Sequence, residues 1–215
     1  ILNYCIKKIR GVYKHTQSKK TGYCNLQIKT GILEHNTIMF CLTKNTLSAN
    51  KQWSQRLIDN LKHSYSVAEL KKKVMVISSK KDDLNGHATH FKNFDSACTQ
   101  FHKESTFKIV FLCGNKTRIH DVQRFAEFFG MFNDNNKLKK NIRILHDEAH
   151  NPMEGVPPYR AIIENIVIKK NVLSYTPVTA TGRPISEIDN PIWNQENLEK
   201  YALDYRKYDN TLSTD

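Results

Sequence analysis

No apolar run in the sequence approaches the 18 residues of a membrane-spanning helix, so no membrane partner is expected. Its first residues, ILNYCIKKIRGVYKH, lack the apolar stretch of a secretory signal. There is no C-x-x-C pair, and the cysteines number five, an odd count, which argues against a disulfide framework. Cys5, Cys24, Cys41, Cys98 and Cys113 fall mostly in apolar runs, the pattern of reduced thiols in a soluble, intracellular protein. Internal repeats and low-complexity linkers are absent too. The chain starts with Ile1 rather than Met and reads as a piece of a longer protein; its 215 residues predict one large domain or two small ones.

Positive charge is abundant and unevenly placed. Residues 1–108 carry 19 Lys and Arg against 7 Asp and Glu, whereas residues 109–215 carry 14 of each, so the net charge of +12 sits in the first half. A concentrated positive field points to a polyanion, DNA or RNA first. Against this, lysines outnumber arginines 25 to 8, as an AT-rich genome produces, and runs such as Lys71-Lys72-Lys73 are ordinarily solvated surface.

Short apolar blocks alternate with longer helical segments. CNLQI (24–28), TIMFCLT (37–43), VMVISS (74–79), FKIVFLC (107–113), IRILHD (142–147) and NVLSYT (171–176) read as strands without polar alternation, as in a parallel sheet buried on both faces. Residues 47–62, 95–104, 119–132 and 159–167 have helical spacing. The expected fold is α/β, a mostly parallel sheet with helices on both faces and ligands at the carboxyl ends of the strands. Residues 1–189 form that domain; residues 190–215 lose the rhythm and read as an exit segment.

The stretch NIRILHDEAHNP (141–152) concentrates the chemistry. A strand ending in adjacent acids can offer one carboxylate, Asp147, to the Mg²⁺ of a nucleotide and the other, Glu148, to the attacking water, with His150 placed to couple the site to a neighbouring strand end. A zinc protease would need His146 and His150 on one helical face with Glu directly after the first, but Asp follows and the approach is a strand. His87, His90, Cys98 and His102 have tolerable zinc spacing, although one cysteine among histidines in a polar segment is usually accidental.

HDEAH after an apolar strand resembles motif II, the Walker B element, of superfamily 2 helicases of the DEAH type, and the order of the other segments agrees. IMFCLTKNTLSANKQW (38–53) is similar to motif Ia, IVFLCGNKTRIHDV (109–122) to the next strand and its nucleic-acid loop, and LSYTPVTATGRP (173–184) to motif III. The motif III triplet is either Thr176-Pro177-Val178, by distance past the strand, or Thr179-Ala180-Thr181, by its letters. The resemblance covers roughly residues 20–185 and implies a first RecA-like domain of the P-loop type that uses ATP and Mg²⁺. It also implies a second RecA-like domain, absent from this chain, that supplies the arginine finger. In overall wording the chain resembles helicase-like proteins of giant DNA viruses, which implies a virion or an infected-cell cytoplasm.

The family's phosphate loop, G-x-x-x-x-G-K-[ST], does not occur. Between the expected first two strands stands Lys29-Thr30-Gly31, and eight residues there are too few for a loop and a crossover helix. Three readings stay open: a shortened phosphate element, a lost one, or an ordinary turn with the site completed elsewhere. SKKTGY (18–23) has lysines but no glycine at the required spacing. For nucleic acid, the resemblance implies backbone contacts from Lys44, Asn45 and Thr46 and from Asn115, Lys116, Thr117 and Arg118, side chains that hold phosphates without reading bases. Trp53 and Phe91 are candidates for base stacking, with the core as the plainer reading. The expectation is therefore a DEAH-type helicase or nucleic-acid-dependent NTPase. The alternatives are a catalytically dead binding or scaffolding module and a metal-dependent nuclease.

Overall fold

Uninterrupted blocks of β-branched and aromatic residues form the centre of the fold, because a strand covered on both faces needs no polar alternation. TIMFCLT, VMVI and IVFLC become β2 (Thr37–Thr43), β3 (Val74–Ile77) and β5 (Ile109–Cys113), buried along their whole length. The computed structural model describes residues 12–13, 20–43, 46–103, 106–131, 139–147, 149 and 157–179. With β1 (Val12–Tyr13), β4 (Thr89–Phe91), β6 (Asn141–Asp147) and β7 (Val172–Thr179), these strands form a seven-stranded sheet in the order β1-β7-β6-β2-β5-β3-β4. Every pairing is parallel, which is the expected α/β class.

Helices cover both faces. On one, α1 (Lys20–Leu33), α2 (Leu47–Leu61) and α3 (Val67–Lys73) pack Cys24, Ile28, Trp53, Leu57 and Leu70 on Met39, Cys41, Val76 and Phe111. On the other, α4 (Phe94–Lys103), α5 (Lys116–Gly130) and α6 (Pro157–Val167) bring Phe101, Phe125, Phe129 and Ile163 onto Phe40, Leu112 and Ile144. Phe101 meets Phe107, Phe125 and Phe129 edge-on at 5.5, 5.7 and 5.0 Å, a geometry that adds to simple area burial. Among the described residues no helix is long and apolar enough to cross a membrane.

One expected strand is a helix. CNLQI lies in the middle of α1, where Cys24, Ile28 and Ile32 recur every four residues and are buried, while Leu26 between them is 42% exposed. That is a helical stripe, not strand alternation. The first strand lies upstream at Val12–Tyr13, so the crossover from β1 to β2 has room for the helix that a parallel connection requires. The helix after β2 (α2) and the helix after β5 (α5) leave to opposite faces although the two strands are neighbours. Such a switch opens a crevice at the carboxyl ends of the strands.

Candidate functional site

That crevice is present. A cleft of about 420 Å³ opens between the ends of β2, β3 and β5, lined by Thr46, Leu47, Ser78, Ser79, Cys113, Asn115, Lys116, Thr117 and Arg118. Two of its walls are helix starts. The Thr46 carbonyl accepts the first helical bond of α2, from Asn50 N at 3.1 Å. Asn115 caps α5, its Oδ1 accepting from Arg118 N at 3.0 Å. Neither helix has an acid in its first turn, so both positive dipole ends stay uncompensated by carboxylates of their own. Backbone N–H groups at such ends favour phosphate or another anion.

The structure thus joins the two turns that the sequence proposed separately as nucleic-acid contacts, Thr46 from one and Asn115 to Arg118 from the other. Lys44 and Asn45 lie outside the described residues. Lys116 and Thr117 are exposed at the cleft. Arg118 is different: its guanidinium donates to Asp121 Oδ2 at 2.8 Å and to the Lys92 carbonyl at 3.0 Å, with only 12% of the side chain exposed. This residue braces α5 against the segment before α4. Ser78 and Ser79 were not foreseen as lining residues, because nothing in the sequence reveals that β3 lies beside β5.

Close approach of the strand ends fixes the floor. Gly114 N donates to the Thr43 carbonyl at 2.6 Å, and a Cβ on Gly114 would lie 2.5 Å from that oxygen and 2.9 Å from His146 Nε2. His146 is buried at 1% exposure, and its Nδ1 shares a 2.7 Å hydrogen bond with the Tyr175 hydroxyl. Burial holds that phenol well above its ordinary pKa, so it stays protonated. Burial likewise raises the Cys113 thiol, which leaves it neutral rather than nucleophilic.

Asp147, partly exposed, ends β6 at the same edge, opposite Val178 of β7. Past it, Ala149 N donates to the Val178 carbonyl at 3.2 Å and keeps the turn against β7. Glu148 and His150 lie outside the described residues. Of the two motif III readings, Thr176 is buried inside β7 opposite Leu145, whereas Thr179 is the last residue of the strand, one place beyond the partner of Asp147. Ala180 and Thr181 lie outside the described residues.

Lys29, Thr30 and Gly31 occupy the last turns of α1, and Thr30 Oγ1 bonds back to the Leu26 carbonyl at 3.0 Å. These three residues thus stand in a helix rather than in a turn between two strands. These residues adjoin the amino ends of the strands: Lys108, just before β5, donates through Nζ to the Glu34 carbonyl at 2.7 Å, and a Cβ on Gly31 would meet Met39. A helix carboxyl end also carries the wrong dipole sign for phosphate. The start of the same helix, Lys20-Thr21, follows β1 instead, whose last residue Tyr13 pairs with Thr179.

The zinc readings find no support in the described geometry. His146 lies in a strand, His87 Nδ1 is bonded to the Leu84 carbonyl at 2.9 Å, and His90 Nε2 to the Ser78 carbonyl at 3.0 Å. Among the described residues no three His, Cys, Asp or Glu gather as a metal cage; the His102 side chain is not described. Trp53 is a core residue, edge-on to Phe111 at 5.9 Å, and Phe91 packs on Phe107 at 6.3 Å. Compared with known proteins, the chain matches no family model and no curated protein sequence.

Proposed function

We propose that the chain is the nucleotide-binding domain of a nucleic-acid-dependent NTPase of the DEAH helicase type, acting on ATP with Mg²⁺ and contacting DNA or RNA at the carboxyl edge of its RecA-like sheet. The observation that carries this reading is the convergence of separate segments on one edge. Asp147 and Thr179 end neighbouring strands there, and two uncompensated helix starts frame a cleft beside them.

The phosphate element belongs at Lys20-Thr21. These residues are the first of α1, which follows β1, and the positive end of a helix with its backbone N–H groups suits phosphate. They match the last two positions of G-x-x-x-x-G-K-[ST], with Lys14 and Lys19 standing at its glycines. Asp147 is the residue to hold Mg²⁺. Its partial exposure at the carboxyl end of β6 fits an ion held by carboxylate, hydroxyl and phosphate oxygens. When bound, that ion supplies charge neutralisation at the phosphates. Glu148 orients the attacking water and accepts its proton, while His150 and the Thr179-Ala180-Thr181 segment link the site to the nucleic-acid cleft. Thr46, Lys116 and Thr117 hold the backbone of the nucleic acid there without reading bases.

The two glycine replacements favour one second reading, a binding module that does not hydrolyse. Titration of the full-length protein with a fluorescent ATP analogue separates the cases. Lys20→Ala should weaken binding by about 10- to 100-fold, the loss of one charge-assisted contact, and Lys29→Ala should leave it unchanged. Loss with Lys29→Ala alone refutes the placement. No nucleotide binding by the native protein, with oligonucleotide binding intact, selects the module.

A further inference from the structure

A second charged feature lies on the opposite, amino edge of the sheet. There the chain enters β3, β5, β2, β6 and β7 side by side, and lysines occupy the entry to four of the five. They are Lys71, Lys72 and Lys73 before β3, Lys108 before β5, Lys139 and Lys140 before β6, and Lys169 and Lys170 before β7. Backbone bonds hold these entries in line. Lys108 N donates to the Lys73 carbonyl at 2.8 Å, Met39 N to the Lys108 carbonyl at 2.8 Å, Asn141 N to the Asn36 carbonyl at 2.9 Å, and Ile142 N to the Asn171 carbonyl at 2.8 Å. At about 4.8 Å per strand, the row runs roughly 19 Å.

Helix dipoles explain part of the row, since Lys71 to Lys73 close α3 and Lys169 and Lys170 follow α6. Among the described residues, Lys108, Lys139 and Lys140 close no helix. Of the nearby carboxylates, Glu34 is engaged by Arg143 at 2.8 Å, while Glu127 pairs at 3.1 Å with Lys169 of the row itself. Lys71 to Lys73, Lys108, Lys139, Lys140 and Lys170 carry the rest of the field at this edge. Burial, and then the like charges of Lys140 and Lys73, hold the Lys108 ammonium below its ordinary pKa.

We propose that this edge is a second contact surface for the nucleic-acid backbone, separate from the cleft at the carboxyl edge. The inference shares with the proposed function the premise that nucleic acid is the ligand, but not the cleft or the nucleotide site. Lysines are point charges on flexible stems, suited to phosphates spaced along a strand. The cores of protein–protein interfaces, by contrast, are poor in lysine and built on aromatic or arginine anchors. Phe107, the aromatic residue beside Lys108, is turned into the core.

Anisotropy of a labelled single-stranded oligonucleotide, titrated with the full chain over a salt series, tests this. The triple substitution Lys72→Gln, Lys140→Gln, Lys170→Gln should lower the slope of log affinity against log salt by about 2, from about 0.7 per lost contact. The same three positions as Arg should restore it, which separates lost charge from misfolding. Lys116→Gln at the cleft should lower the slope independently and additively. An unchanged slope in the Gln triple, with Lys116→Gln still weakening binding, overturns the second surface and spares the cleft. A triple that keeps oligonucleotide binding but loses binding of poly-glutamate assigns the edge to an acidic protein and also overturns the proposal.

Discussion

Replacing Gly114 by alanine would put a methyl group 2.5 Å from the Thr43 carbonyl oxygen and 2.9 Å from His146 Nε2. Neither neighbour is free to retreat. The Thr43 oxygen accepts Gly114 N at 2.6 Å at the end of the β2–β5 register, and the His146 ring is held through Nδ1 by the buried Tyr175 hydroxyl. Forcing one methyl into filled space costs about 1–3 kcal/mol, and stretching the bond to Thr43 adds about 1 kcal/mol. The expected loss is therefore about 2–4 kcal/mol, a fall in Tm of roughly 5–15 °C for a chain of this size. Gly31→Ala is the control. Its Cβ would meet Met39 Cε at 2.7 Å, but that atom is the far end of a flexible side chain and its next neighbour is at 3.8 Å. Alanine is also the better helix former by up to about 1 kcal/mol, so Gly31→Ala should stay within about 1 kcal/mol of the native protein. Urea unfolding followed by circular dichroism compares the three. If Gly114→Ala is as stable as the native chain, or if both substitutions lose equally, the closure of β2 on β5 described above is wrong.

Other consequences are equally direct. Arg118→Ala should cost about 3 kcal/mol in urea unfolding, because it strips the nearer partner from a buried Asp121 carboxylate whose remaining arginine, Arg124, stands at 3.9 Å. Arg118→Lys should not restore it, since the two-pronged contact to Asp121 and the Lys92 carbonyl needs a guanidinium. Tyr175→Phe should lose about 1–2 kcal/mol by removing the hydroxyl that meets His146; an unchanged midpoint would contradict that bond. Burial pushes the Cys98 thiol up to about 12, above its value in the unfolded chain, so it ionises first when unfolded. Its contribution to stability is then full below the ordinary thiol range and lost as pH rises from there towards about 12. At pH 8 its labelling by thiol reagents should be on the order of a thousandfold slower in the folded protein than in urea.

The central strands were legible because burial on both faces leaves a block pattern that few helices imitate. TIMFCLT and IVFLC show it, and their expected limits fall within two residues of the observed ones. CNLQI misled because a five-residue window reads as one short apolar block, while the stripe that includes Ile32 emerges only over a longer one. With a strand expected at 24–28, Lys29-Thr30 is the pair that follows it, and SKKTGY lacks the glycine that the phosphate-loop pattern requires. Strand β1 itself has only two described residues, too short to carry any periodicity. Helix α5 starts at Lys116, three residues before the expected Ile119, and the Asn115 cap was the readable sign. Helix α3 was missed despite the Ser66–Glu69 capping box that opens it. The cleft was half legible: the polar turns after β2 and β5 were found, but their meeting with Ser78 and Ser79 depends on strand order, which no single segment encodes.

The central claim is that Asp147, which ends β6, and the neighbouring Glu148 serve a nucleotide whose phosphates lie at the start of α1. Its most direct test is phosphate release from ATP by the full-length protein, with Mg²⁺ and a saturating oligonucleotide, for the native sequence, Glu148→Gln, Lys20→Ala and Lys29→Ala. The account predicts nucleic-acid-stimulated release that Glu148→Gln and Lys20→Ala abolish and Lys29→Ala leaves intact. Release that survives Glu148→Gln, or that fails with Lys29→Ala and persists with Lys20→Ala, would contradict it.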